Sequence, residues 1–161
     1  MQISSTLKRA IDSSAKFAKS VGAGNFETEH LLFGILLEKQ EKSVKLLESY
    51  GVNAENYKNI YLKLFKSSTA SKSVEYSAEL NNFFTNAVLI CERNGKSELG
   101  INEVLYLMTT HSEFKATKMI SDYYKLNLSN LKSKFEKIAG FSVSENKSIE
   151  KNTKNENFDL S

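Results

Sequence analysis

EYSAELNNFFTNAVLICERNG, residues 75–95, restates the opening of the chain, MQISSTLKRAIDSSAKFAKSVG, residues 1–22. Leu80 follows Leu7 by 73 residues, as Phe84 follows Ile11, Cys91 follows Ala18 and Gly95 follows Gly22. In the first copy Ile3, Leu7, Ala10, Ile11, Ser14, Ala15 and Ala18 fall at helical spacing, which predicts an amphipathic helix with a small-residue inner face. The glycines at 22 and 24 end it. The same argument predicts a second long helix ending at Gly95.

Working outward from this pair, the next segments also recur. NFETEHLLFGIL, residues 25–36, is dense in apolar residues and reads as a buried helix with Thr28 as its N-cap. INEVLYLM, residues 101–108, is its counterpart; aligning Glu103 with Glu29 needs a 74-residue shift, with one extra residue placed in GKSELGINE. EKSVKLLESYGV reads as a third helix stopped at Gly51. VNAENYKNIYLKLF, residues 52–65, begins a fourth at Asn53, and LNLSNLKSKFEKI, residues 126–138, repeats it. An internal repeat outweighs any single motif. The expected fold is all-α: two tandem four-helix repeats, residues 1–140, packed as a pseudo-twofold bundle. Residues 66–75 read as a polar connector, and residues 141–161 as a flexible polar tail or linker, too poor in apolar side chains to offset ordering entropy.

Composition narrows the function classes. Of 161 residues, 40% are hydrophobic, enough for a core, and there is no proline. The net charge of +3, from 22 basic and 19 acidic residues, argues against nucleic acid as a partner. Cys91 is the single cysteine, which fits a reducing, cytoplasmic compartment and sits at a core position of its helix. The N-terminus lacks a signal-peptide apolar core, and no apolar stretch is long enough to cross a bilayer, so no membrane partner is expected. His30 and His111 are the only histidines and neither has a nucleophile or ligand set at a suggestive spacing. No catalysis, metal or cofactor is expected. Gly95-Lys96-Ser97 spells the end of a phosphate-binding loop, but the earlier glycine that loop needs falls at Ile90, and a helix precedes the turn where a strand is required. Tyr57, Tyr61 and Phe65 form a helical stripe expected in the core, and Lys58, Lys63 and Lys66 a solvated face.

With the repeats aligned, GAGNFETEHLLFGILLE and LLESYGVNAENYKNIY resemble the first repeat of the Clp N-terminal domain, the substrate- and adaptor-receiving module of Clp-type AAA+ unfoldases. The resemblance extends to about residue 140 and is nearest the ClpC branch. The second repeat departs from it: Asn102-Glu103-Val104 stands for Thr-Glu-His, and Lys125 for an expected glycine. The resemblance implies a non-enzymatic protein that recognises substrates or adaptors of a Clp ATPase–protease system. A stand-alone accessory protein that regulates Clp complex access or assembly is the alternative, since the chain carries no Walker motifs.

Four residues are candidates for ligand binding: Ser4, Glu29, Ser77 and Glu103. A glutamate can take a guanidinium through two parallel hydrogen bonds, and a hydroxyl with free N–H groups at a helix start can take an anion. Phosphoarginine carries both groups. The resemblance implies one such site per repeat, with Ser4 and Ser77 standing for the family's threonines. Asn81 stands where the ClpC branch has a lysine, which makes the first-repeat site the expected stronger one. The plain alternative is two capping serines and two glutamates that complement helix dipoles. For Thr28 and His30 capping and a hydrogen bond near the surface are the expected roles.

Overall fold

The structure is a computed structural model; it describes residues 1–65 and 74–141. The described part of the polar connector is therefore short, and the tail after Phe141 lies outside the described residues. The first repeat contributes β1 (Gln2–Ile3), α1 (Ser5–Ser20), β2 (Asn25–Phe26), α2 (Thr28–Leu36), α3 (Lys42–Ser49) and α4 (Ala54–Leu64). The second contributes β3 (Glu75–Tyr76), α5 (Ala78–Arg93), β4 (Glu98–Leu99), α6 (Ile101–Met108), α7 (Lys115–Lys118), which runs into a π-helical turn at Met119–Tyr123, and α8 (Leu128–Ala139). The all-α reading with two four-helix repeats holds. Among the described residues no helix is long and apolar enough to cross a membrane.

The four short strands were not expected. β1 pairs in parallel with β4, with Gln2 opposite Glu98; β2 pairs in parallel with β3, with Asn25 opposite Glu75. Since β3 and β4 are the 73-residue shifts of β1 and β2, exchanging the repeats exchanges the two pairings. This is the pseudo-twofold relation, and it makes each repeat hydrogen-bond to the other just ahead of its long helix.

The core follows the apolar periodicity. Leu7, Ala10 and Ala18 of α1 and Leu31, Leu32, Ile35 and Leu36 of α2 are completely buried. Small residues on α1 let α2 approach: a Cβ at Gly34 would lie 1.9 Å from Ser14 Oγ and 2.1 Å from the Ala10 carbonyl oxygen, so no side chain fits there. Ser14 satisfies its buried hydroxyl on the Ala10 carbonyl oxygen at 2.7 Å. Tyr57 and Tyr61 are buried, with Phe65 packed against them, as the stripe predicted. Lys58 and Lys63 are exposed, while Lys66 lies outside the described residues. Cys91 is fully buried, and burial pushes its thiol up to about 12, a packing role and not a reactive one.

The extra residue of the second repeat is not in GKSELGINE. All strands, and the first residues of α5, α6 and α7, lie 73 residues after their counterparts; only α8 lies 74 after α4. The insertion is therefore the π-helical turn. Its hydrogen bonds show it: Val52 N–H reaches back to the Leu47 carbonyl at 2.9 Å, whereas its counterpart Leu126 reaches one residue further, to Ile120 at 3.2 Å. A π turn absorbs one residue without breaking the helix. Directly after it, Lys125 takes φ 60 where Gly51 takes φ 86, so the glycine expected from the resemblance is replaced by a lysine that keeps the left-handed backbone.

Candidate functional site

The 73-residue register changes which residues are equivalent. Glu103 is the third residue of α6 and accepts the Gly100 N–H at 2.9 Å. The third residue of α2 is His30, whose Nδ1 accepts the Glu27 N–H at 2.9 Å. His30 and Glu103 thus hold the same position and the same backbone bond. Glu29 is equivalent to Asn102, which corrects the premise that the two glutamates correspond.

Thr28 is not the N-cap of α2; Glu27 holds that place, with extended backbone. Thr28 is instead the first helical residue and fully buried. Its Oγ1 faces the start of α7 across the repeat boundary, 3.4 Å from the Ala116 N–H. Asn102 does the corresponding work in the other direction: its Oδ1 accepts the Ser43 N–H of α3 at 3.1 Å. Each of these helix starts thereby caps the third helix of the opposite repeat.

His30 lies in the interior, 2% exposed, and not near the surface. Since Nδ1 accepts a backbone N–H, the ring proton resides on Nε2, which donates to the Tyr61 hydroxyl at 3.0 Å. Burial, with Lys115 adding to it, lowers the imidazole pKa to about 4 and keeps it neutral.

The serines cap as expected. Ser4 Oγ accepts the Leu7 N–H at 3.1 Å and Ser77 Oγ the Leu80 N–H at 3.1 Å. Their partners, however, are crossed. Ser4 N–H donates to the Leu99 carbonyl at 2.9 Å, and a Cβ built on Gly100 would lie 3.6 Å from Ser4 Oγ and 2.9 Å from Glu103 Oε1. Ser4 and Glu103 therefore come together at Gly100. Ser77 N–H donates to the Phe26 carbonyl at 3.0 Å, which joins it to the strand just before α2. Ser4 of the first repeat thus meets Glu103 of the second, while Ser77 of the second is joined to the strand that precedes α2.

Glu103 and Glu29 differ in their charged surroundings. The Glu103 carboxylate has Lys96 Nζ 3.4 Å from Oε2. Lys8, one helical turn after Ser4, is exposed and occupies the position equivalent to Asn81. Glu29 is 5% exposed, and its oxygen lies 3.5 Å from the Thr28 hydroxyl. No lysine or arginine among the described residues closes an ion pair with it. Desolvation raises its pKa, while Lys115 acts to lower it and Glu27 and Glu79 add to the rise. Glu29 thus has Glu27 and Glu79 acting on it as well as Lys115. Sequence reasoning missed Lys96, set aside with the incomplete phosphate loop, and Asn102, read only as a departure from the family motif. Among the described residues there is no group of three or more His, Cys, Asp or Glu side chains able to hold a metal ion.

Two interleaved four-helix repeats, each joined to the other where its long helix begins, define a helical double-repeat module. The profile of the Clp repeat (R) N-terminal domain matches residues 2–123, and the chain belongs to that family. Solved structures share the fold. The N-domain of ClpV from Vibrio cholerae has a TM-score of 0.66 at 20% identity, covering 88% of this chain and 87% of that one. A complex of the ClpV N-domain with a VipB peptide has a TM-score of 0.66 at 19% identity, covering 88% and 89%. The Hsp104 N-terminal domain from Candida albicans has a TM-score of 0.68 at 14% identity, covering 87% and 93%. None of the curated proteins matches the chain in sequence.

Proposed function

We propose that the chain is a non-catalytic recognition domain that receives protein substrates or adaptors for a cytoplasmic Clp ATPase system, and that phosphoarginine is one of its ligands. Membership of the Clp repeat family carries the first part; the similar fold of a ClpV N-domain in complex with a VipB peptide supports it. For the second part, the observation that counts is the Ser4–Glu103 pocket. Glu103 can take the guanidinium, and the Ser4 hydroxyl with Lys8 the phosphoryl oxygens. Around Glu29 the carboxylates of Glu27 and Glu79 repel a phosphate, so the Ser4–Glu103 site is the tighter one.

The test is calorimetric titration with phosphoarginine, and with an arginine-phosphorylated unfolded protein and its dephosphorylated form. Glu103→Ala should weaken phosphoarginine binding at least about tenfold, the loss of a charged hydrogen-bond partner worth roughly 1.5–3 kcal/mol. Glu29→Ala should weaken it less. Binding of the unfolded protein regardless of phosphorylation would support the recognition domain and remove phosphoarginine. Binding of neither protein form would remove both.

A further inference from the structure

Lys96 joins three groups that belong to different elements. Its Nζ lies 3.4 Å from Glu103 Oε2 at the start of α6, donates to the Ala139 carbonyl oxygen at 2.5 Å, and stands 5.2 Å from the centre of the Phe141 ring. Ala139 is the last residue of α8, whose end carbonyls have no partner within the helix. Phe141 is buried, its ring 5.1 Å from that of Tyr106 on α6. Gly140 turns the chain between them at φ 79. One ammonium therefore ties the Glu103 carboxylate to the end of α8.

Among the described residues the first repeat has no lysine in this place. The residue equivalent to Lys96 is Ala23, and α4 ends in extended backbone at Phe65. The contact with Glu103 is also the longest of Lys96's polar contacts. At 3.4 Å it exceeds the roughly 2.7–2.9 Å of a strong charge-assisted hydrogen bond. Glu103 Oε1 is already engaged by the Gly100 N–H, so a planar guanidinium entering the pocket meets Lys96 at Oε2.

We propose that Lys96 is both the gate of the Ser4–Glu103 pocket and a latch on the end of α8: a guanidinium that takes Glu103 displaces Lys96 and loosens the Gly140–Phe141 turn. Occupancy of the site is thereby transmitted to the end of α8. The ligand in this statement rests on the pocket reading above; the latch rests on Lys96's contacts alone.

Hydrogen exchange at the Gly140 and Phe141 amides reads the latch, since both donate to the Glu136 carbonyl, at 3.0 and 3.3 Å. Saturating phosphoarginine should speed their exchange roughly fivefold, the scale of losing a cation at a helix end. Lys96→Met should show that faster exchange without ligand and no further change with it. Glu103→Gln should loosen the same two amides without ligand, while the α3 amides, far from the latch, stay at their wild-type rates. Phosphoarginine that binds wild type but leaves Gly140 and Phe141 unchanged overturns the latch and spares the pocket. If phosphoarginine does not bind, the pocket reading falls. The Glu103→Gln protein then decides the latch alone: wild-type exchange at both amides overturns it.

Discussion

The starts of α2 and α6 sit at equivalent places under the pseudo-twofold, each following a short strand borrowed into the other repeat's pairing. At α2 the third helical position holds His30, buried and neutral, bonded to Glu27 N–H and the Tyr61 hydroxyl. At α6 it holds Glu103, partly open, bonded to Gly100 N–H and facing Lys96. The backbone need is identical: the N-cap amide of the helix requires an acceptor. What differs is the consequence of the acceptor's charge. A neutral imidazole can be sealed by an aromatic wall, whereas a carboxylate needs solvent and a cation, and Lys96 replaces Ala23 to supply it. The same local bond thus produces a sealed interior in one repeat and a partly exposed, charged helix start in the other.

Removing each acceptor gives the largest contrast. His30→Ala leaves the Glu27 N–H without its acceptor and the Tyr61 hydroxyl without its donor, opens a cavity, and should cost about 3 kcal/mol. Glu103→Ala loses a half-open cap and should cost about 1 kcal/mol. Urea unfolding of the two variants compares them directly, and equal losses would break the assignment of one structural and one functional helix start.

Acid should reveal the same difference. The folded-state pKa of His30 is lowered to about 4 from an ordinary 6.5, so the fold favours the neutral ring. The stability it contributes is complete above about 6.5 and is lost as pH falls through the interval down to about 4. Thermal melting of wild type and His30→Gln across that interval measures it; the wild-type curve should fall more steeply, and parallel curves would remove His30 as the cause.

The next contrast lies at the ends of α3 and the π turn. Lys125→Gly should stabilise by about 1 kcal/mol, since a lysine holds a left-handed backbone that glycine adopts without steric cost. Gly51→Ala should destabilise by a similar amount through backbone strain alone, because a Cβ at Gly51 meets nothing within 4 Å. Chemical denaturation of both proteins tests the pair, and a neutral Lys125→Gly would show that the lysine side chain offsets its own strain.

The smallest effect is expected at Glu29. Its pKa is raised chiefly by desolvation, so the folded protein prefers the carboxyl protonated and this residue opposes folding at neutral pH. Glu29→Gln should therefore leave stability within about 1 kcal/mol of wild type or raise it slightly. A larger loss in a urea titration would show that the Glu29 charge supports the start of α2.

Much of this was legible in the linear chain. Helical spacing of Leu7, Ala10 and Ala18, the asparagine and serine caps, and the repeat itself are local signals that follow from backbone geometry. The two-residue strands carried no such signal, being too short for an alternating pattern. The insertion was misplaced because Leu31-Leu32 matches Val104-Leu105 or Leu105-Tyr106 almost equally well as an apolar run, so hydrophobicity alone does not set the register. Hydrogen bonds at the π turn do. The candidate residues were recognised as types, but Ser4 was grouped with Glu29 because both belong to the first repeat.

By itself the sequence determined the helices, their caps, the doubled architecture and the buried faces, since each depends on residues within a few positions of one another. Only the tertiary structure decided the company these residues keep. Parallel pairing of β1 with β4 and β2 with β3 carries each serine to the opposite repeat, and α8 folds back to set Ala139 and Phe141 on Lys96. Those contacts span tens of residues and depend on how two apolar faces close on each other, a relation that no local spacing encodes.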